Sequence, residues 1–326
     1  MLLKNHLLFL TLLSCWPVSS IGQTCSCAGA PLISAQFAGG RKAGQLAVGL
    51  TYEHHEISRV FAGSSRVGEE TKRSTRSTLL EIHYGITDRF SVSTTINFAQ
   101  KDRTTGTDGS RVPASLSTSG IGDALFLVNY SILQQSLWKR TQLSVSAGAK
   151  APVGSSSLML DGHPLNADMQ PGTGSWDGFL SLYWSYSMLP RSTAAVFAVA
   201  SYRFSGANER FTATDRYRFG NETLVSFGVA NSVGTKAAYS VAFLFRSTEQ
   251  DERNDAEIFN TGGRWFSVAP TIQYSLSSRT DIRLAGRYPI AQWLRGTQPS
   301  TSYAAAISLL FTFGRTKNAF TKRSPI

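Results

Sequence analysis

From about Gln45 to Phe313 the chain repeats one pattern: apolar and polar residues alternate through segments of about 9–12 residues, separated by turn-forming residues. No run of roughly 18 apolar residues follows the N-terminal leader, so no helix of this chain is written to cross a hydrocarbon layer. An alternating strand presents one apolar and one polar face, and must therefore lie between two unlike media. If lipid is one of them, every backbone N–H and C=O has to be paired within the sheet, and only a closed barrel leaves no edge. The pattern predicts an all-β chain, a transmembrane antiparallel up-and-down β-barrel.

Twelve such segments can be counted. The first, Gln45 to His55, sets Leu46, Val48, Leu50 and Tyr52 against Ala47, Gly49, Thr51 and Glu53. Leu80, Ile82 and Tyr84 mark the second; Phe90, Val92, Ile96 and Phe98 the third; Phe126, Val128 and Tyr130 the fourth; Leu143, Val145 and Ala147 the fifth. Leu180, Leu182 and Trp184 mark the sixth, Val196 to Phe204 the seventh, Val225, Phe227 and Val229 the eighth. Tyr239 to Phe245, Phe266 to Tyr274, Ile282 to Tyr288 and Tyr303 to Phe313 complete the series. Connections after odd segments are long (Glu56 to Arg76, Lys101 to Ile121, Pro152 to Ser175, Ser205 to Asn221, Ser247 to Arg264, Ala291 to Ser300), and those after even segments are short. External loops and periplasmic turns of an outer-membrane barrel alternate in this way, whereas a soluble sandwich has no such parity. An even strand count places both ends in the periplasm.

The N-terminus adds a targeting signal. Lys4, the apolar stretch Leu7 to Leu13 and Ser20-Ile21-Gly22 form a secretory leader, residues 1–22; Leu12-Leu13-Ser14-Cys15 also allows a lipoprotein box with Cys15 acylated. The expected organisation is then a periplasmic segment 23–44, the barrel 45–313 and a periplasmic tail 314–326. Charged residues make up only 16% of the chain, and the formal charge of +11 is dispersed without a basic run, which argues against nucleic acid as a partner. The expected surroundings are outer-membrane lipid and lipopolysaccharide, with the barrel acting as a monomer in the outer membrane of a Gram-negative bacterium.

Parity also assigns an interior. Glu53, His55, Glu81, His83, Asp123, Asn129, Lys150, Asp177, Arg203, Glu222, Arg246, Gln273, Arg283 and Arg287 face inward. Two readings stand side by side: charges that pair and fill the wall, or a selectivity lining in which Arg203, Arg246, Arg283 and Arg287 face Glu53, Glu81, Asp123 and Asp177 across the lumen. Leu125, Leu127, Phe179, Tyr183, Phe197, Val199, Leu224 and Leu244 point inward too, more apolar lining than a general water-filled porin carries. The third external connection is dense in Pro and Gly and long enough to fold into the mouth, where Asn166, Asp168 and Gln170 would offer polar contacts. Cys25 and Cys27 could chelate a soft metal ion or form a disulfide. His54 and His55 are consecutive and point to opposite faces, which favours interior hydrogen bonding over a zinc site. No Gly-x-Ser-x-Gly elbow and no His-Glu-x-x-His motif is present, so no enzyme and no cofactor is expected.

The loop runs Leu165-Asn166-Ala167-Asp168-Met169-Gln170-Pro171-Gly172-Thr173-Gly174, Tyr217-Arg218-Phe219-Gly220-Asn221-Glu222 and Asn260-Thr261-Gly262-Gly263-Arg264-Trp265, with Cys27-Ala28-Gly29-Ala30-Pro31 near the N-terminus, give the chain a resemblance to a family. It resembles a group of Gram-negative outer-membrane transporter-like barrels, similar to the family named after the meta-pathway of phenol degradation. The resemblance implies a channel for passive passage of a small aromatic or apolar solute. The alternative is a closed structural or adhesive barrel that works through its external loops.

Overall fold

The structure, a computed structural model, describes residues 42–105, 114–136, 139–188 and 194–314, and side chains of all of these except 68–71, 105 and 114. The leader, Cys15, Cys25, Cys27, nearly all of the N-terminal segment and the tail beyond Gly314 lie outside the described residues.

Twelve antiparallel strands form one closed barrel. In chain order they are Leu46–Ala62, Ser65–Gly85, Phe90–Thr105, a fourth strand in two pieces (Ala114–Ile121 and Ala124–Leu133), Thr141–Ala151, Asp177–Ser187, Ala195–Ser205, Glu222–Val233, Ala237–Thr248, Gly263–Ser275, Thr280–Leu294 and Tyr303–Phe313. Each pairs with its sequence neighbour, and the first strand closes the ring on the twelfth, from Leu46 opposite Phe313 to Glu56 opposite Tyr303.

The two faces are inverted relative to a soluble protein. Phe227 is 53% exposed and Ile272 58%, whereas Thr51 and Glu81 on the inner face are each 1% exposed. Leaving a large apolar side chain in water forgoes roughly 1.5–3 kcal/mol; here a whole belt of them faces outward, including Leu50, Phe98, Phe126 and Leu180. Hydrocarbon is the medium that makes this surface favourable, so the barrel crosses a membrane.

Three of the six external connections differ from the expected loops. The first two strands, 17 and 21 residues long in all, continue past the membrane as a ribbon closed by the two-residue turn Gly63-Ser64. Gly63 adopts the positive φ (+62°) that such a turn requires. The third strand likewise runs on to Thr105, and the eleventh to Leu294, with Thr297–Ser300 extending the twelfth strand alongside Arg59–Ala62. The extensions of the second and third strands are rich in charged, Ser and Thr residues, whereas that of the first carries Ile57, Val60 and Phe61 and that of the eleventh Ile290 and Trp293, so hydrophobic alternation becomes irregular there although the backbone ladder continues. The pairing of the eleventh and twelfth strands ends at Arg287–Ala304, and above it side chains make the bridge: Trp265 donates to Ser300, which donates to Gln292.

The other three connections, residues 152–176, 206–221 and 249–262, fold over the mouth. Short segments Ala207–Asn208, Tyr217–Arg218, Glu252–Arg253 and Ala256–Glu257 make a four-stranded sheet. Beneath it Ala167, Phe211, Tyr217 and Phe219, with Ile258 packed against them, form an apolar cluster that joins all three loops.

Candidate functional site

The third loop is seated by the fourth strand. Between its two pieces the register against the third strand slips by one residue, from Phe98 opposite Ile121 to Thr95 opposite Leu125, which places a bulge at Gly122-Asp123. Asp123 is thereby aimed at the loop: its carboxylate accepts from the backbone N–H of Gly154 (3.2 Å) and of Thr173 (2.9 Å) and from the Thr173 hydroxyl (2.6 Å). Lys150 Nζ lies 3.0 Å from Asp123 Oδ2 and 2.8 Å from Asp177 Oδ2, and also donates to the Thr173 hydroxyl. Two loop strands pass here with no room for side chains, since a Cβ on Gly172 would come within 2.7 Å of the Gly154 carbonyl carbon.

From that anchor the loop reaches the wall formed by the second, third and fourth strands. A single 3-10 turn, Ala167–Met169, carries the contact, and Asn166 immediately precedes it, its carbonyl accepting from the Met169 N–H. Arg73 Nη1 bonds Asp168 Oδ2 at 2.9 Å. Lys101 Nζ donates to the carbonyls of Asp168 (2.9 Å) and Gln170 (2.6 Å), and the Thr118 hydroxyl donates to the carbonyl of Met169 (2.7 Å). The Gln170 side chain is held by the backbone of Leu158 and Leu165. Asp168 and Gln170 thus fasten the loop into the mouth.

Asp251 secures the roof from the fifth external loop. The Tyr217 hydroxyl (2.7 Å) and the Gly220 N–H (2.9 Å) donate to its carboxylate. Burial pushes the Asp251 carboxyl up from the ordinary carboxylate range, while these bonds and the charge of Arg203 act against the rise. A carboxyl with a raised pKa in the folded state binds its proton more tightly there than when unfolded. The contribution of Asp251 to the roof is therefore fully present below the ordinary carboxylate pKa and is lost as pH rises through the Asp251 pKa. Backbone amides of 249–262 are expected to exchange faster, after correction for intrinsic rates, as pH is raised above the ordinary carboxylate range. Asp251→Asn should flatten that dependence, and an equal slope in the variant would assign it elsewhere.

Inside the barrel the remaining candidates divide into two groups. Arg246 bonds Glu222 (2.7 Å) and lies 5.1 Å from the Trp265 ring; Arg203 approaches the same carboxylate at 3.9 Å. Arg287 Nη2 meets His55 Nδ1 at 3.5 Å, and His55 Nε2 meets Glu53 at 3.4 Å. Arg283 bonds Gln273 (2.9 Å), and Glu81 is reached by the Thr51 hydroxyl at 3.3 Å. Of the carboxylates expected to oppose the arginines across the lumen, Asp123 and Asp177 are instead taken up by Lys150. His54, on the outer face, packs against Tyr303, with ring centroids 5.9 Å apart.

Below this network lies a cavity of about 270 Å³. Its lining combines the apolar Tyr183, Phe197, Val199, Leu224 and Leu244 with the polar Gln273, Arg283 and Arg287. Sequence parity named every one of these residues but missed Arg73, Lys101, Thr118 and Asp251, which lie in segments without an apolar face. Continuing the inward set Thr95, Asn97, Ala99 by two would have reached Lys101 and Arg103.

No family model matches the chain, and no curated protein does. Among solved structures it is similar to an outer membrane channel from Pseudomonas putida F1, at 14% identity and a TM-score of 0.68, covering 85% of this chain and 98% of that one. A Pseudomonas aeruginosa FadL homologue (9% identity, TM-score 0.42, 82% and 90% covered) and the Ralstonia pickettii toluene transporter TbuX (10%, 0.41, 87% and 93%) match less well. The inverted faces, the twelve-strand closure and the first of these likenesses together make the chain an outer-membrane β-barrel with the fold of that Pseudomonas channel.

Proposed function

We propose that the barrel is a monomeric channel for facilitated diffusion of a small solute with an apolar, aromatic body. The cavity carries this reading: the apolar lining of Tyr183, Phe197, Val199, Leu224 and Leu244 would strip water from an apolar body, while Gln273, Arg283 and Arg287 hold a polar substituent. A general porin gains nothing from such a lining. The loop resemblance to barrels of the phenol meta-pathway group and the toluene transporter among the similar folds point the same way. Asn166, Asp168 and Gln170 act at the mouth, and Glu53, Glu81, Arg203 and Arg246 shape the field within. Lipid and lipopolysaccharide are the surroundings.

The test is single-channel current of the refolded protein in a planar bilayer, with phenol, benzoate and glucose added in turn. Discrete steps blocked by the two aromatics and not by glucose are expected, with Leu224→Gln and Phe197→Ser weakening the block about tenfold, as the loss of one large apolar contact would. A second reading, a closed barrel serving as a surface platform, draws on the welded loops over the mouth. It is favoured if no steps occur even after the third loop is shortened.

A further inference from the structure

Arg73, Lys101 and Arg103 bring three positive charges together around Asp168 at the mouth. Arg73 and Arg103 stand directly opposite each other on the second and third strands, both 7% exposed, with Lys101 one inward position below. Like charges in register repel, and burial sharpens the repulsion. Lys101 is occupied by two loop carbonyls, and Asp168 bonds Arg73. Arg103 Nε, buried, has no hydrogen-bond partner among the described residues, and Arg73 and Asp168 are the charges that act on it. A guanidinium presents a planar fork that fits a carboxylate, so one carboxylate serves where two arginines ask for a bidentate pair.

We propose that Arg73 and Arg103 form a carboxylate-binding site that Asp168 of the third loop occupies at rest, and that the carboxylate of an arriving solute replaces Asp168 there and releases the loop. This rests on the channel reading and deepens it: the solute is an aromatic or short aliphatic carboxylate, recognised first at the mouth and then by Arg283 and Arg287 in the cavity. The exchange is of one anion for another on the same cations. No bond is made or broken covalently, and the site needs no space beyond that which the loop vacates.

Benzoate is the probe, with benzyl alcohol as its neutral counterpart and inorganic phosphate as the test for a general anion site. Binding is measured by calorimetry on the detergent-refolded protein, free of lipopolysaccharide, and loop release by channel current. Asp168→Ala, which removes the internal competitor, should tighten benzoate binding about tenfold or more; Arg103→Gln should weaken it by as much, and Arg103→Lys by less. Benzyl alcohol should be indifferent to all three. Folding of each variant is checked by heat-modifiable migration, and Arg103→Lys keeps the test informative if Arg103→Gln fails to fold. Benzoate binding unchanged by Asp168→Ala, or phosphate and benzyl alcohol binding as benzoate does, overturns the proposal. Benzoate binding that responds as stated in a protein without current steps keeps this site and removes the channel reading, whereas benzoate-blocked steps with no response to the variants do the reverse.

Discussion

Lys150→Met is expected to destabilise the folded barrel by about 3–5 kcal/mol, the usual cost of leaving buried charge without its counter-ion. Lys150 is the cation between Asp123 and Asp177, 3.0 and 2.8 Å from their oxygens, and the three side chains keep only 11%, 5% and 2% of their surface exposed. Without it two carboxylates face each other across the loop anchor. Their remaining donors, the N–H groups of Gly154, Thr173 and Gly206 and the hydroxyls of Thr173 and Ser175, soften the loss and set it toward the lower end of that range. Urea titration of the detergent-refolded protein, followed by tryptophan fluorescence, measures it. Adding Asp177→Asn to Lys150→Met removes one of the stranded charges and should recover roughly half the loss. A cost below about 1 kcal/mol would mean that water reaches the cluster and that the loop is anchored by its backbone contacts alone.

Replacing residues 162–174 by a short Gly-Ser turn is expected to raise single-channel conductance several-fold. The segment carries Asp168, Met169 and Gln170, whose contacts to Arg73, Lys101 and Thr118 hold the loop against the second, third and fourth strands at the mouth. The replacement also removes the Ala167 contact with the apolar cluster, which loosens the roof. Lys150, Asp123 and Asp177 lie outside the replaced segment, so their ion pairs remain to hold the wall, while the two hydrogen bonds from Thr173 to Asp123 are lost. Arg73→Gln breaks one contact of the set and should produce a smaller rise with flickering between levels. Unchanged conductance in a protein that does conduct would place the constriction deeper, among Arg246, Glu222 and Arg287.

The inner charges illustrate how far residue order reaches. Strand parity places Glu53, Glu81, Arg203, Arg246, Arg283 and Arg287 on the inner face, because a pleated strand turns alternate side chains to opposite sides and only one side of this barrel meets lipid. Parity says nothing about partners. Arg246 and Arg203 share Glu222 on the strand between them, and Arg287 reaches His55 over a sequence separation of 232. The expected opposition of arginines and carboxylates across the lumen is thereby replaced, for Asp123 and Asp177, by a local triad with Lys150.

The external segments were harder to read for a different reason. Glu56 to Arg76 has no continuous apolar face, so periodicity in hydrophobicity becomes irregular there while the ladder continues. The third loop was legible as compact from its Pro and Gly content, yet its path depends on groups far along the chain: Arg73 lies 95 residues from Asp168, and Lys101 69 residues from Gln170.

By itself, then, the order of residues determined twelve strands, their inward and outward faces and the alternation of long and short connections, since each follows from a local period matched against two media. Only the closed barrel decided which charges meet, where Asp123 points and that the third loop reaches Arg73, Lys101 and Thr118. A one-residue bulge, the pairing of first strand with last and contacts between distant loops settle these, and none of them leaves a local trace in the chain.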